Sequence, residues 1–326
     1  MGKEFLDKPS TACCTPRSLF ILDSCCIWCA AGNCIGTDAV PYYINDITRN
    51  VASQSKLFPD DMKVYKALRN VHEDTQILQD DLNALEQWST DWQLSFNTTK
   101  CEVMRISQKN DTSSPGYHLC GNRLNTVSET KDLGIYITSN LSWSLQATKC
   151  ANKANSVLGF VRRTVGPKNP DLFSKLYKSL VRPILEYSSP VWSPHLKKDI
   201  AILEKVQRRA SRFALGTNDM SYEDRLKRLK WPTLEKRRTL SSLNECYKTI
   251  NGLNCLNPHE FFNFADKYRP LTSNQRFKLK MKSAKLNCYK HSFFLRIVNL
   301  WNNLRKETAE AKDLRTFRNK LVNEFS

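Results

Sequence analysis

The amino-acid sequence predicts an α+β fold in two parts, and three observations carry that prediction. Short apolar runs with the alternation of strands gather around a turn holding two adjacent acids, Asp60 and Asp61. From about residue 143 onward, apolar residues recur every three or four positions, the spacing of helices that bury one face. The charge divides at the same place. Residues 1–140 hold 13 basic and 17 acidic side chains, and residues 141–326 hold 37 and 15, so the front carries −4 and the back +22. The chain therefore reads as a poorly specified Cys-rich leader (1–35), a small antiparallel sheet with helices (36–142), and a basic helical lobe with a C-terminal tail (143–326).

In the leader no clean period emerges, and an apolar and aromatic run, Val40 to Ile44, closes the approach to the sheet. The segment Phe58-Pro59-Asp60-Asp61-Met62-Lys63-Val64-Tyr65 predicts a hairpin with the carboxylate pair at its tip. Leu78, Leu82, Leu85 and Trp88 then form one stripe of an amphipathic helix, with Glu73 and Asp74 in the first turn, where acids suit the positive end of the helix dipole. Short strands are predicted at Trp92–Phe96 and Val103–Ile106, with Lys100 between them, and a further strand at Leu133–Ile137. The sheet is expected to lack a strand on one side, leaving an edge that is exposed or covered by the leader.

In the rear half, Ala147, Cys150, Ala154, Val157 and Val161 form one helical stripe, and Leu172, Phe173, Leu176, Tyr177 and Leu180 another. Leu203, Val206, Ala210 and Phe213 mark a third buried face, and on a wheel of 100° per residue Lys205, Arg208, Arg209 and Arg212 cluster on the opposite side. In the tail, Phe277, Leu279 and Met281 alternate with Lys278, Lys280 and Lys282, so a strand would present three lysines on one face. Helices are predicted around Phe294, Ile297, Trp301 and Leu304, and around Leu314, Phe317, Leu321 and Phe325.

Composition narrows the function. An aromatic share of 10% excludes wholesale disorder, and no apolar window is long enough to span a bilayer, so no membrane partner is expected. Arg17 followed by Ser18–Ala31 imitates a signal peptide, but Asp23 interrupts its core, and secretion is not expected. Six of the twelve cysteines fall between Cys13 and Cys34, and the rest scatter, which fits a reducing, intracellular setting, nuclear or cytoplasmic. The front cluster contains Cys26-x-x-Cys29 and its thiolates could in principle hold zinc, yet it lacks the paired, repeated spacing of a zinc ribbon and a nearby His. Neither a phosphate loop, a zinc-protease motif nor a nucleophile elbow occurs. The +22 of the rear half is the electrostatic footprint of a polyanion-binding surface.

From about Gly32 to its end the sequence resembles the C-terminal part of the reverse transcriptases of LINE-type, jockey-like non-LTR retrotransposons. The resemblance rests on ordered segments: Gly32-Asn33-Cys34-Ile35-Gly36 with Tyr43-Ile44-Asn45-Asp46-Ile47; Phe58-Pro59-Asp60-Asp61, where such enzymes carry Phe/Tyr-Ala-Asp-Asp; and Leu85 to Met104. Further along it rests on Lys131-Asp132-Leu133-Gly134-Ile135, Leu141-Ser142-Trp143, Leu180 to Tyr187, Glu204 to Ala210 and Phe294 to Leu304. The resemblance implies a partial polymerase-like palm followed by a mostly helical, thumb-like lobe. It implies Mg²⁺ as cofactor, with Asp60 and Asp61 at the metal site and Lys100 supplying a helper cation. The implied partners are nucleic acid (an RNA template, a DNA primer or an RNA/DNA hybrid), with deoxynucleotides if the chain is active.

In such a polymerase two Mg²⁺ ions about 4 Å apart need carboxylates from separate segments. The family's other essential Asp lies well upstream of the hairpin, with the fingers. Here Asp7 and Asp23 lie too close to the hairpin to take over that role, and Pro59 stands where the family has Ala, fixing φ and removing an N–H. The expectation is a truncated, catalytically incomplete reverse transcriptase that retains nucleic-acid binding through Lys205, Arg208, Arg209, Arg212, Lys278, Lys280 and Lys282. Two alternatives stand beside it: a non-catalytic basic nucleic-acid-binding protein derived from a mobile element, and a decayed copy with no selected function.

Overall fold

The computed structural model describes residues 18–29 (backbone only), 46–58, 61–107, 115–165, 169–217, 219–265 and 278–325. The chain divides into two compact units, Met1–Leu141 and Ser142–Ser326. Among the described residues, small sheets with one long helix make up the first, helices dominate the second, and the whole is α+β.

In the first unit a six-stranded sheet has the order β2-β3-β1-β5-β8, with β4 paired to the end of β1. Its members are β1 (Ser18–Cys29), β2 (Gln54–Phe58), β3 (Asp61–Leu68), β4 (Leu94–Phe96), β5 (Glu102–Ile106) and β8 (Asn125–Thr126). Strands β2 and β3 form the expected hairpin, with Phe58 opposite Asp61. The β5–β8 pair at the edge is parallel, whereas the other ladders of this sheet are antiparallel.

The leader contributes a strand to this sheet, and that strand is central rather than a cover for an edge. β1 lies at the centre, pairing with β3 through Ser18↔Leu68 to Cys26↔Asp61 and with β5 through Leu19↔Ile106 to Asp23↔Glu102. The β1–β3 register is irregular between Leu22 and Cys25, so Asp23 sits on that bulge. In sequence this strand is masked because Leu19–Leu22 and Cys25–Cys29 are nearly continuous apolar runs with no alternation.

Helix α1 (Val71–Asp91) packs on β3 and buries Leu78, Leu82, Leu85 and Trp88, the stripe read from sequence. Asp74 in its first turn accepts hydrogen bonds from the backbone N–H groups of Arg69 (2.7 Å) and Asn70 (2.9 Å), capping the turn that enters the helix. The core of this unit joins that stripe to Met62, Val64, Leu68, Val103 and Ile47. Asp81, buried on the same helix, accepts from the N–H groups of Ala52 (2.6 Å) and Ser53 (3.0 Å) and so fixes the segment leading into β2. β6 (His118–Leu119) and β7 (Asn122–Arg123) pair with each other.

β9 (Glu129–Asp132) and β10 (Ile135–Thr138) form a second small hairpin. The predicted strand at Leu133–Ile137 is corrected at its start, because Leu133 (φ 43°) and Gly134 (φ 84°) make the two-residue turn. Positive φ at both positions is the turn whose twist matches a hairpin, and Gly134 supplies the freedom it needs.

The second unit opens with α2 (Ser144–Val165), which buries Ala147, Ala151, Ala154, Leu158 and Val161. Ala151 and Leu158 take the fully buried places expected for Cys150 and Val157. α3 (Pro170–Leu176) continues through a π-helical turn, Tyr177–Val181, into α4 (Arg182–Glu186). The extra residue in that turn rotates the stripe. Phe173, Tyr177, Val181 and Leu185 are therefore buried, while Leu172 and Leu180 face solvent. Then follow α5 (Ser189–Trp192), α6 (Lys197–Leu215), α7 (Tyr222–Leu229) and α8 (Leu234–Ile250).

Beyond α8 come α9 (Pro258–Phe261), β11 (Asn263–Phe264), β12 (Leu279–Lys280), α10 (Asn287–Lys290), α11 (Phe293–Asn302), α12 (Lys306–Ala309) and α13 (Leu314–Glu324). With α8 these elements share a core of Leu243, Tyr247, Ile297, Trp301, Phe317 and Leu321. Among the described residues no helix is long and apolar enough to cross a membrane.

Candidate nucleic-acid interface

Helix α6 positions the cations. Its apolar stripe, Leu203, Val206, Ala210 and Ala214, is fully buried, and Phe213 is half-buried at the margin. The helix ends at Gly216, whose φ of 64° allows its N–H to reach the Arg212 carbonyl at 2.9 Å. At the other end Asp199, buried in the first turn, accepts a hydrogen bond from the Ser144 hydroxyl at 2.7 Å, which ties α6 to the start of α2.

Lys205, Arg208, Arg209 and Arg212 are all exposed, within an arc of about 100° on the helix. Among the described residues none of the four has a carboxylate within ion-pair distance. Two of them are held by neutral groups. Arg209 donates to the Asn155 side-chain carbonyl on α2 at 3.0 Å, and the Arg208 guanidinium lies 4.5 Å from the centre of the Tyr222 ring. Arg162 of α2 lies 4.3 Å from the Phe213 ring, bringing a further cation to the α2–α6 surface. Such contacts orient a guanidinium without neutralising it.

Beneath this face is a buried polar network that sequence reading missed. Gln207 accepts from the Tyr177 hydroxyl (2.8 Å) and donates to the Pro232 carbonyl (3.0 Å) and the Tyr222 oxygen (3.2 Å). The Tyr222 hydroxyl donates to Glu204, whose other oxygen accepts from the Leu234 N–H at 3.1 Å. Burial and the neighbouring Glu204 push the Tyr222 phenol far above its usual range, so it stays a neutral donor. The visible signal was two polar residues, Glu204 and Gln207, bordering the apolar stripe of α6.

The strand expected to carry the tail lysines is far shorter than their alternation. β12 has only two residues, Met281 is exposed, and Phe277 lies outside the described residues. Lys280 is exposed, the Lys278 carbonyl accepts from Ala265, and Lys282 donates to the Phe261 carbonyl at 3.4 Å. A two-residue ladder is too short to sustain an alternating stripe.

In the first unit, Asp61 is the first residue of β3, half-buried, and Lys100 is exposed in the turn between β4 and β5. Asp60, Val40–Ile44 and Cys13, Cys14 and Cys34 lie outside the described residues. Of the motif around Tyr43, Ile47 is buried in the core and Asp46 accepts from the Trp88 indole N–H at 3.1 Å. Among the described residues no three His, Cys, Asp or Glu side chains stand close enough to hold a metal ion. The described side chains thus do not make up a magnesium site.

The chain is 27% identical over 161 residues to the RNA-directed DNA polymerase from the mobile element jockey of Drosophila melanogaster, and 26% identical over 161 residues to that of Drosophila funebris. Each alignment covers 47% of this chain and 18% of the polymerase, so the chain spans under a fifth of those relatives. It is also 26% identical over 127 residues to the uncharacterized protein B0403.1 of Caenorhabditis elegans, covering 38% of this chain and 64% of that one. No family model and no solved structure matches. The likeness supports a reverse-transcriptase-like relationship.

Proposed function

We propose that this chain is a catalytically incomplete, reverse-transcriptase-derived protein whose working surface is the cationic face of α6, gripping the phosphate backbone of an RNA/DNA hybrid or a related duplex. In this reading the first unit is a partial polymerase palm and the second a thumb-like lobe. The observation that carries it is the set of four exposed cations, Lys205, Arg208, Arg209 and Arg212, with no acid paired to them among the described residues. Phosphate oxygens would supply the missing counter-charge, with little reading of base sequence.

Titrating affinity for a short duplex against salt tests this. If each cation neutralises one phosphate, log K falls against log[salt] with a slope of about −0.9 per contact. Reversing Arg208 and Arg209 to Glu should weaken binding and flatten the slope by about two contacts' worth. Unchanged affinity and slope would remove the reading.

A second reading, residual polymerisation, is favoured by β1, which brings the backbone of Asp23 into the strand beside Asp61. The likeness to RNA-directed DNA polymerases points to a divalent metal for any such chemistry. Primer extension on an RNA template with Mg²⁺ or Mn²⁺ separates the two. Incompleteness predicts no template-dependent product; synthesis that Asp60→Ala abolishes would overturn it.

A further inference from the structure

Where α5, α8 and α11 pack on one another, the second unit buries positive charge that its own acids do not satisfy. Arg238 of α8 is 2% exposed, and both of its terminal Nη atoms are buried with no hydrogen-bond partner among the described residues. The hydroxyl of Ser189 on α5, a residue 1% exposed, is likewise buried and unpartnered. Arg296 of α11 reaches into the same junction, donating to the Pro190 carbonyl and, at 3.2 Å, to the His291 carbonyl. Burial and the Arg238 charge push Arg296 down to about 10, so the two guanidiniums feel each other.

Of the three acids whose charge reaches Arg238, two are committed elsewhere and the third faces solvent. Glu186 holds both Arg237 and Arg182, Glu204 accepts from Tyr222 and the Leu234 N–H, and Glu235 is exposed in the first turn of α8. A guanidinium shut away from water with unmade hydrogen bonds is strongly destabilising unless something accepts from it. Its donors require an acceptor, and the uncompensated charge selects an anion over a neutral one.

We infer that Arg238, Arg296 and Ser189 form a buried binding site for a small inorganic anion, a halide such as chloride, at the junction of α5, α8 and α11. The enclosed Nη atoms exclude a polymer phosphate, so this site is distinct from the surface of α6. A resident anion would act as a structural counter-ion that locks the three helices together. It is independent of the polyanion reading and fails or stands separately.

Thermal unfolding of the full chain in potassium chloride against potassium gluconate, at equal ionic strength, tests it. A bound halide predicts a saturable rise in midpoint with chloride of about 2–4 °C, as expected for ligand linkage in a unit of this size. Ser189→Ala should shift saturation to higher chloride, and Arg238→Met should abolish the chloride-specific rise. Where Arg238→Met does not fold, Arg238→Lys, which keeps the charge but loses the fork, should weaken the response. Reversing Arg208 and Arg209 to Glu should leave it intact, which separates this site from surface ion binding. Bromide anomalous scattering should place an ion between Arg238 and Ser189. Identical melting in the two salts, or an unaltered chloride response in the Ser189 and Arg238 variants, would overturn the proposal and assign the junction to buried water.

Discussion

Gln207 shows how much one neutral side chain can hold. It joins Tyr177, Tyr222 and Pro232, residues 30, 15 and 25 positions away, into the support beneath Arg208. Gln207→Leu keeps the volume and leaves those partners unsatisfied. A loss of about 2–4 kcal/mol is expected from orphaned buried groups, measured by urea unfolding. His291 makes a different case. Its ring stacks on His195 at 3.8 Å between centroids, and burial, then His195, Lys290 and Arg296, lower its pKa below 6.5. The folded state therefore binds its proton less readily than the unfolded state. The stabilisation is complete above the unfolded pKa near 6.5 and is lost as pH falls through the lower folded value. Denaturation midpoints at pH 7.5 and 5.5 should differ in wild type, and the difference should shrink in His291→Asn.

At the scale of elements, the β9–β10 hairpin offers a stabilising change. Leu133 is an exposed, γ-branched residue at φ 43°, a conformation that Asn adopts more readily. Leu133→Asn should raise stability by about 0.5–1 kcal/mol, read from the denaturant midpoint at constant slope. The same hairpin shows what the sequence can and cannot reveal. The stripe Leu78–Leu82–Leu85–Trp88 was legible because helical spacing needs no partner. Strand β1 was not legible, since a nearly continuous apolar run fits strand and buried helix alike. The lysine alternation misled because alternation marks a strand only where a neighbour pairs along it, and β12 pairs over two residues. The cations of α6 were legible from the wheel; the acceptors that aim them were not, because those sit on other elements.

Among the described residues, one hydrophobic core lies in a unit of charge −4 and another in a unit of +22, and the two share no residue. Like charges crowded into the second unit repel one another, and dissolved ions relieve that repulsion. Raising potassium gluconate from 50 to about 300 mM, with a Debye length falling from roughly 14 to 6 Å, should raise the melting midpoint of the second unit more than that of the first. Calorimetry resolving two transitions would check this, and equal shifts would count against it. The same crowding makes composition informative in the rear half, whereas the front half, of ordinary charge, is legible only through its motifs.

The closing helix of the chain also sets the terms on which the rest survives. Phe317 stacks on Tyr247 at 4.3 Å and leans on Trp301, while the Tyr247 hydroxyl donates to the Ala311 carbonyl at 2.7 Å. Trimming Phe317 to Ala would bare the faces of Tyr247 and Trp301 that its ring covers. Such an oily scar is what proteolytic quality control recognises, so loss of this one ring would lower the amount of protein a cell keeps.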